Sequence, residues 1–339
     1  MLAASLNLVN DRSQAYVCPS FSCYGPEMSD EPTPFASRVK DTFVGLAMYA
    51  PIALARLFPY RMRIPLVGWL TSRVVAPIAG YDKRVRENLA HVLPDLPEAE
   101  VRRLTRAVPD NAGRNMIELF SHREFSERTR HSKVFGPGMD TIRKAQAEGR
   151  PIIFVTGHFG SFNAARVAMI EQGFEMGVFY RPMHNNWFNY RYTAAMGALS
   201  QPMFEQGRKG MMQMVKHLRG GGVLAILTDL NAHDGVPLMF FGKPAMSPLA
   251  TAELALKFDA PLVPVWGIRA ENGLDFDILV EEPVAPTDAV TMTQEVNDRL
   301  EAQVRERMEQ WFWIHRRWKD GTGPLAERGA KQLSDRKKG

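Results

Sequence analysis

Between residues 151 and 284 short apolar runs alternate with amphipathic stretches, and that rhythm restricts the chain to one class of fold. "PIIFVTG" (151–157) is a short apolar run that ends in glycine, as a buried strand does. "FNAARVAMIEQG" has helical spacing and stops at Gly173, and "EMGVFYRP" reads as a second strand stopped by Pro182. "RKGMMQMVKHLRGGG" is a helix closed by Gly220 to Gly222, and "VLAILTD" is again a buried strand. "SPLATAELALKFDA" carries Ser247 as cap and Pro248 in the first turn, and "PLVPVWGI" follows as a strand. "LDFDILVEEPV" alternates apolar and polar residues as an edge strand would, and "TMTQEVNDRLEAQVRERMEQWFW" predicts one long amphipathic helix. Strand, helix, strand, helix implies an α/β fold with a mostly parallel central sheet flanked by helices.

The N-terminal third has a different character. From Phe43 the chain runs "FVGLAMYAPIALARLFPYRMRIPLVGWLTSRVVAPIAGY", an apolar stretch interrupted by Pro51, Arg56, Pro59, Arg61, Arg63 and Pro65. Its uncharged part, Phe43 to Ala55, is 13 residues long, short of the roughly 20 that a simple spanning helix needs. Aromatic residues and long basic side chains suit a membrane interface, so the expectation is a pair of helices lying in or dipping into a bilayer surface. A buried hydrophobic hairpin and a true span are the alternatives. Residues 81–120 then turn charged and helix-forming, with Asp95, Pro97, Glu98 and Glu100 marking a helix start. The expected organisation is a disordered tail over 1–37, membrane-associating helices over 38–81, the α/β domain over 82–325 and a basic tail over 326–339. The first 27 residues lack a basic region followed by an apolar run, so no signal peptide is expected, and translation is expected to start at Met28.

Charge and cysteine usage narrow the partners. Lys and Arg number 42 against 37 Asp and Glu, a net charge of +5 that favours anionic partners such as phospholipid headgroups or an acidic carrier protein. The sequence holds no zinc-finger, helix-turn-helix or RNP pattern, so nucleic acid is not an expected partner. Cys18 and Cys23 are the only cysteines, which leaves the main body without an internal disulfide or a thiol nucleophile and suits a reducing compartment. No His/Cys cluster has zinc spacing, and no metal site or cofactor is expected.

His158 stands just past the first strand of the α/β unit, where open parallel sheets bind their ligands, and an imidazole there can serve as a general base. Its surroundings, "GHFGSFNAAR", resemble the His-x4-acid motif of the lysophospholipid acyltransferase superfamily, in particular the lipid A biosynthesis (lauroyl) acyltransferase branch. "KRVRENLAHVLPDLPEAE" (83–100), "FYRPMHN" (179–185), "GVPLMFFGKPAMSPLATAELALK" (235–257) and "QWFWIHRRWK" (310–319) resemble further blocks of that branch, in the same order. The resemblance implies transfer of a fatty acyl group from an acyl thioester to a lipid hydroxyl, on the 3-hydroxyacyl chain of a lipid A precursor or of a lyso-aminolipid. It implies acyl carrier protein or coenzyme A as carrier of the donor, and the cytoplasmic face of a bacterial inner membrane as the place. His158 would deprotonate the hydroxyl directly, since no suitable Ser or Cys accompanies it. A non-catalytic lipid-binding protein that keeps the fold is the rival reading.

The acid of the motif is replaced here by Asn163. An amide oxygen can orient an imidazole but cannot offset its positive charge. Three readings stay open: a retuned site, a silenced one, or one in which Asp229 or Glu253 supplies the carboxylate. Asp229 lies in "LTDLN" at the end of a strand, where the family usually has Asp-Gln and this chain has Leu230. Arg181, and Arg208 with Lys209 at a helix start, could bind phosphate or carboxylate. Phe240, Phe241 and Gly242 are expected in a loop that lines an acyl channel or plugs the core. His315 is expected to pack rather than to act as a second base.

Overall fold

The computed structural model describes residues 35–232 and 234–318. Helices α1 (Phe35–Ala55) and α2 (Tyr60–Leu70), a π-helical turn (Thr71–Val75) and α3 (Ala76–Ala79) come first, and α1 starts inside the stretch expected to be a tail. The remainder of that tail, the start at Met28 and the basic tail over 326–339 lie outside the described residues. Helices α4 (Tyr81–Val92), α5 (Glu98–Phe120) and α6 (His122–Thr129) make the charged helical layer. The α/β unit then runs β1 (Lys133–Phe135), α7 (Met139–Ala147), β2 (Ile152–Thr156), α8 (Phe162–Glu171), β3 (Met176–Tyr180), α9 (Asn186–Gly197), β4 (Met203–Glu205), α10 (Arg208–Arg219) and β5 (Val223–Leu227). It closes with β6 (Val236–Phe240), β7 (Lys243–Ser247), α11 (Ala250–Phe258), β8 (Leu262–Arg269), β9 (Phe276–Val280) and α12 (Ala289–Glu306), followed by a 3₁₀ turn at Met308–Gln310.

The main sheet has seven strands in the order β1-β9-β8-β2-β5-β3-β4, parallel throughout except for the β8–β9 pair. The central strands β2 and β8 are buried along their whole length, as strands covered on both faces must be. Side chains alternate between the two layers. Ile152 and Phe154 join a core with α1, α5, α6, α7, α8 and α9, whereas Ile153 and Val155 join one with α10, α11 and α12. Caps fix where these helices begin: Ser161 Oγ accepts from Ala164 N on α8, and Asp288 accepts from Val290 N and Thr291 N on α12.

Three expectations from the sequence need correction. The alternating segment 274–284 forms β9, but not at an edge, because the three-residue β1 pairs outside it. The long helix ends at Glu306 instead of running through Trp313, and the chain doubles back so that Trp311 bridges Phe159. The block around Phe240 is the antiparallel hairpin β6–β7, whose two turn residues Phe241 (φ 52) and Gly242 (φ 69) take the left-handed conformation that tight hairpins require.

The segment expected to associate with membrane is helical; Ile52, Ala55 and Ile64 pack into the core, and the other side of these helices faces outward. Phe43, Leu54, Leu57, Met62, Trp69 and Ile78 are all exposed, with Leu57 at 80% and Ile78 at 82%. Among the described residues no helix is long and apolar enough to cross a membrane.

Candidate active site

The parallel register builds the site. Thr156 at the end of β2 faces Leu227 at the end of β5, so the residues two places further on, His158 and Asp229, emerge side by side at the carboxyl edge of the sheet. His158 Nδ1 lies 2.8 Å from Asp229 Oδ1, and the His158 backbone N–H donates to Asp229 Oδ2 at 2.7 Å. The indole of Trp311 donates to the same Oδ2 at 2.9 Å. Asp229 is wholly buried while the His158 side chain keeps 25% of its surface open. Burial alone would raise the Asp229 carboxyl, but the facing charge of His158 and the hydrogen bonds outweigh it and hold the group well below the usual carboxylate range. An ionised carboxylate can only accept, so Nδ1 of His158 carries a proton toward Asp229, and in the neutral ring Nε2 is the free acceptor.

Aromatic rings fix the imidazole from three sides: Phe162 at 5.6 Å, Phe312 at 6.2 Å and His315 at 4.5 Å between ring centroids. Burial first, then the neighbouring charges of His158 and Arg317, pull His315 down to about 3 against the opposing pull of Asp229. His315 is therefore neutral at physiological pH, in keeping with the packing role read from the sequence. The strap that carries it is tied down by Asn88, whose amide donates to Trp313 O and His315 O, each at 2.7 Å. That contact gives the "ENLAHVLPD" segment a structural purpose.

Behind the histidine loop stands a polar brace. Gly160 (φ 54) lies so close to β8 that an added Cβ would meet Gly267 O at 1.9 Å, so only glycine fits. Asn115 Nδ2 donates to Gly160 O at 2.7 Å, and Asn111 Nδ2 donates to Gly160 O and Gln310 O at 3.3 and 3.2 Å. Buried Arg269 holds both amides through their oxygens and makes a two-pronged ion pair with buried Glu118. Gln310 closes the network through Arg269 N and O. Sequence reasoning missed these residues. The i, i+4 spacing of Asn111 and Asn115 on a helix was the available signal.

Other expected site residues fall out differently. Asn163 does not pair with His158. Helix α8 starts at Phe162, so Asn163 sits in its first turn, 7% exposed, facing a small cavity over the sheet. The carboxylate beside His158 is Asp229, and Glu253 lies on α11 instead. Phe240 and Phe241 do not line a channel. They plug an aromatic core, with Phe240 against Trp311 at 5.3 Å and Trp318 at 5.8 Å, and Phe241 against Trp313 at 5.3 Å. Gly242 is exposed at the hairpin tip. Arg181 follows β3, and Arg208 with Lys209 follows β4. All three are exposed at the same sheet edge as His158, and none has an ion-pair partner among the described residues.

Comparison with known proteins places the chain among acyltransferases. A family model for bacterial lipid A biosynthesis acyltransferases matches residues 35–320. A phosphatidylinositol mannoside acyltransferase of Mycobacterium tuberculosis is 24% identical over 271 residues, which cover 76% of this chain and 82% of that one. A lipid A biosynthesis lauroyltransferase of Escherichia coli is 28% identical over 250 residues, 70% of this chain and 78% of the relative. A lipid A biosynthesis acyltransferase of Haemophilus influenzae is 22% identical over 267 residues, 78% and 83% of the two chains.

Proposed function

Because the chain belongs to the bacterial lipid A biosynthesis acyltransferase family and is an acyltransferase, we propose that it moves a fatty acyl group from an acyl thioester to a lipid hydroxyl at a membrane surface. The observation that carries this reading is the 2.8 Å pair between His158 and the fully buried Asp229 at the carboxyl edge of the sheet. His158 Nε2 takes the proton of the acceptor hydroxyl as that oxygen attacks the thioester carbonyl. Asp229 holds the ring in the productive tautomer and offsets the imidazolium charge. The tetrahedral intermediate collapses with cleavage of the C–S bond, and the departing thiolate recovers the proton from His158. The carbon is transferred as an ester, with no acyl-enzyme.

The acceptor is a 3-hydroxyacyl chain, in a lipid A precursor or a lyso-aminolipid. Relatives named for lipid A and for a mannoside lipid indicate that the family accommodates different acceptors. Arg181 after β3 and Arg208 with Lys209 after β4, exposed at the same carboxyl edge of the sheet two and three strands from β2, would provide cations for the phosphate or carboxylate of such a lipid or of the donor's carrier. The carrier is acyl carrier protein or coenzyme A. The exposed apolar residues of α1 to α3, with Arg56, Arg61 and Arg73 among them, support docking at a membrane surface, which we assign to the cytoplasmic face of the inner membrane. Purified protein mixed with vesicles, lipid acceptors and a dodecanoyl thioester should yield the acylated lipid by mass spectrometry. Hydrolysis of the thioester with no acylated lipid for any hydroxylated acceptor would count against the reading.

A further inference from the structure

Helix α8 does more than present the histidine loop. Phe154 and Thr156 of β2, Ala225 and Leu227 of β5 and Val265 of β8 share one face of the sheet, and α8 and α9 roof it to leave a cavity of about 60 Å³. The walls are apolar, including the adaptable Met176 and Met196. Its polar lining comes from Thr156, Asn163 and Arg166. Arg166 is committed elsewhere, donating to Ser200 Oγ at 2.5 Å and to the carbonyls of Met196 and Ser200. Thr156 and Asn163 are not. Thr156 Oγ1 is buried with no hydrogen-bond partner, and no hydrogen bond holds the Asn163 side chain among the described residues. Buried polar groups rarely stay unsatisfied, since leaving one unpaired costs stability. Thr156 Oγ1 is such a group, and the Asn163 amide lines the same cavity beside it, so the pair points to a ligand atom that bonds both.

Their position says where on the ligand that atom sits. Thr156 is two residues before His158, about 6–7 Å along an extended chain, and Asn163 is in the helical turn that follows. Phe162, whose ring centroid lies 5.6 Å from that of His158, also lines the cavity, so a chain entering it from a carbon under attack at His158 would pass Thr156 and Asn163 within its first few carbons. We infer that the cavity takes the proximal part of the donor acyl chain and selects a chain that carries a hydroxyl on its second or third carbon, bonded by Asn163 and Thr156. The inference rests on the acyl-transfer reading above. Asn163, where the family's motif has an acid, is on this account a specificity residue and not the partner of the base. Its amide both donates and accepts, as a hydroxyl requires, and leaves no charge on an apolar wall.

The test compares transfer from dodecanoyl, 2-hydroxydodecanoyl and 3-hydroxydodecanoyl thioesters on the same carrier, to the same lipid acceptor. Wild-type protein is expected to show at least a tenfold higher kcat/KM for one of the hydroxylated donors than for the plain one. Asn163→Leu and Thr156→Val should each reduce that ratio about tenfold, and Thr156→Ser, which keeps the hydroxyl, should restore it. A wild-type ratio near one, or a ratio that neither variant changes, overturns the selection. Equal losses with all three donors place the two side chains on the thioester carbonyl and also overturn it. Transfer from none of the donors to any lipid rejects the acyl-transfer reading itself, and this inference with it.

Discussion

Replacing Asp229 by Asn tests the proton pathway with one isosteric change. Oδ2 of Asp229 receives two donors, the His158 backbone N–H at 2.7 Å and the Trp311 indole at 2.9 Å. In the variant the amide oxygen must take that place, because an NH₂ group there would face two N–H groups. The amide NH₂ then points at His158 Nδ1, which sits 2.8 Å from the present Oδ1. Nδ1 must become the acceptor, so the proton moves to Nε2, the nitrogen that has to be bare to act as base. Two losses therefore combine: the wrong tautomer and the missing counter-charge. In serine hydrolases the same substitution costs about 10,000-fold in kcat, and a fall of about 1,000- to 10,000-fold is expected here. The assay is single-turnover acyl transfer, with thermal unfolding as a control for the fold. A well-folded variant with a rate within tenfold of wild type would refute the tautomer argument.

Three further outcomes follow from other parts of the molecule. Glu118→Ala strips the buried Arg269 of its counter-ion and should cost about 3–5 kcal/mol of stability by chemical denaturation. Glu118→Ala combined with Arg269→Met should recover part of that loss. His315 is held neutral in the fold, down to about 3 from an ordinary 6.5, so below pH 6.5 the unfolded chain binds a proton that the folded one refuses. Its stabilising contribution is complete above pH 6.5 and is lost as pH falls toward 3. Thermal midpoints measured from pH 7.5 down to 4.5 should therefore fall less steeply for His315→Phe than for wild type, and parallel curves would contradict the assignment. Replacing Leu57 and Ile78, 80% and 82% exposed, by Asp should weaken co-sedimentation with anionic vesicles at least tenfold, since burying either chain is worth about 1.5–3 kcal/mol. Unaltered vesicle binding would move the docking surface elsewhere.

Much of the frame is legible in the sequence because burial writes it there. Strands covered on both faces must be continuous apolar runs, and "PIIFVTG" and "PLVPVWGI" are β2 and β8. Three-residue strands carry no such pattern, which is why β1 and β4 do not announce themselves and why β9 reads as an edge. The site divides the same way. His158 is marked by its place after a strand, but its partner depends on register, which no local window contains. A motif count leads to Asn163, five residues on along the chain. The β2–β5 pairing leads instead to Asp229, 71 residues away in sequence. Trp311 could not be foreseen as a ligand of that carboxylate, because its segment has helical spacing and only the bridge to Phe159 shows that it is extended. Phe240 and Phe241 illustrate the limit of composition, since aromatics that line a channel and aromatics that fill a core look alike until their neighbours are known.

The most direct test of a base-catalysed transfer is the amount of acylated lipid formed by wild type and by His158→Ala. Both proteins, at equal concentration, would be given an acyl thioester and a hydroxylated lipid in vesicles, with product quantified by mass spectrometry. Wild type is expected to form the ester, and His158→Ala, folded and bound to vesicles as before, to form at least about 100-fold less, on the scale of losing a catalytic base (about 10²–10⁴-fold). Equal product from the two proteins would contradict it.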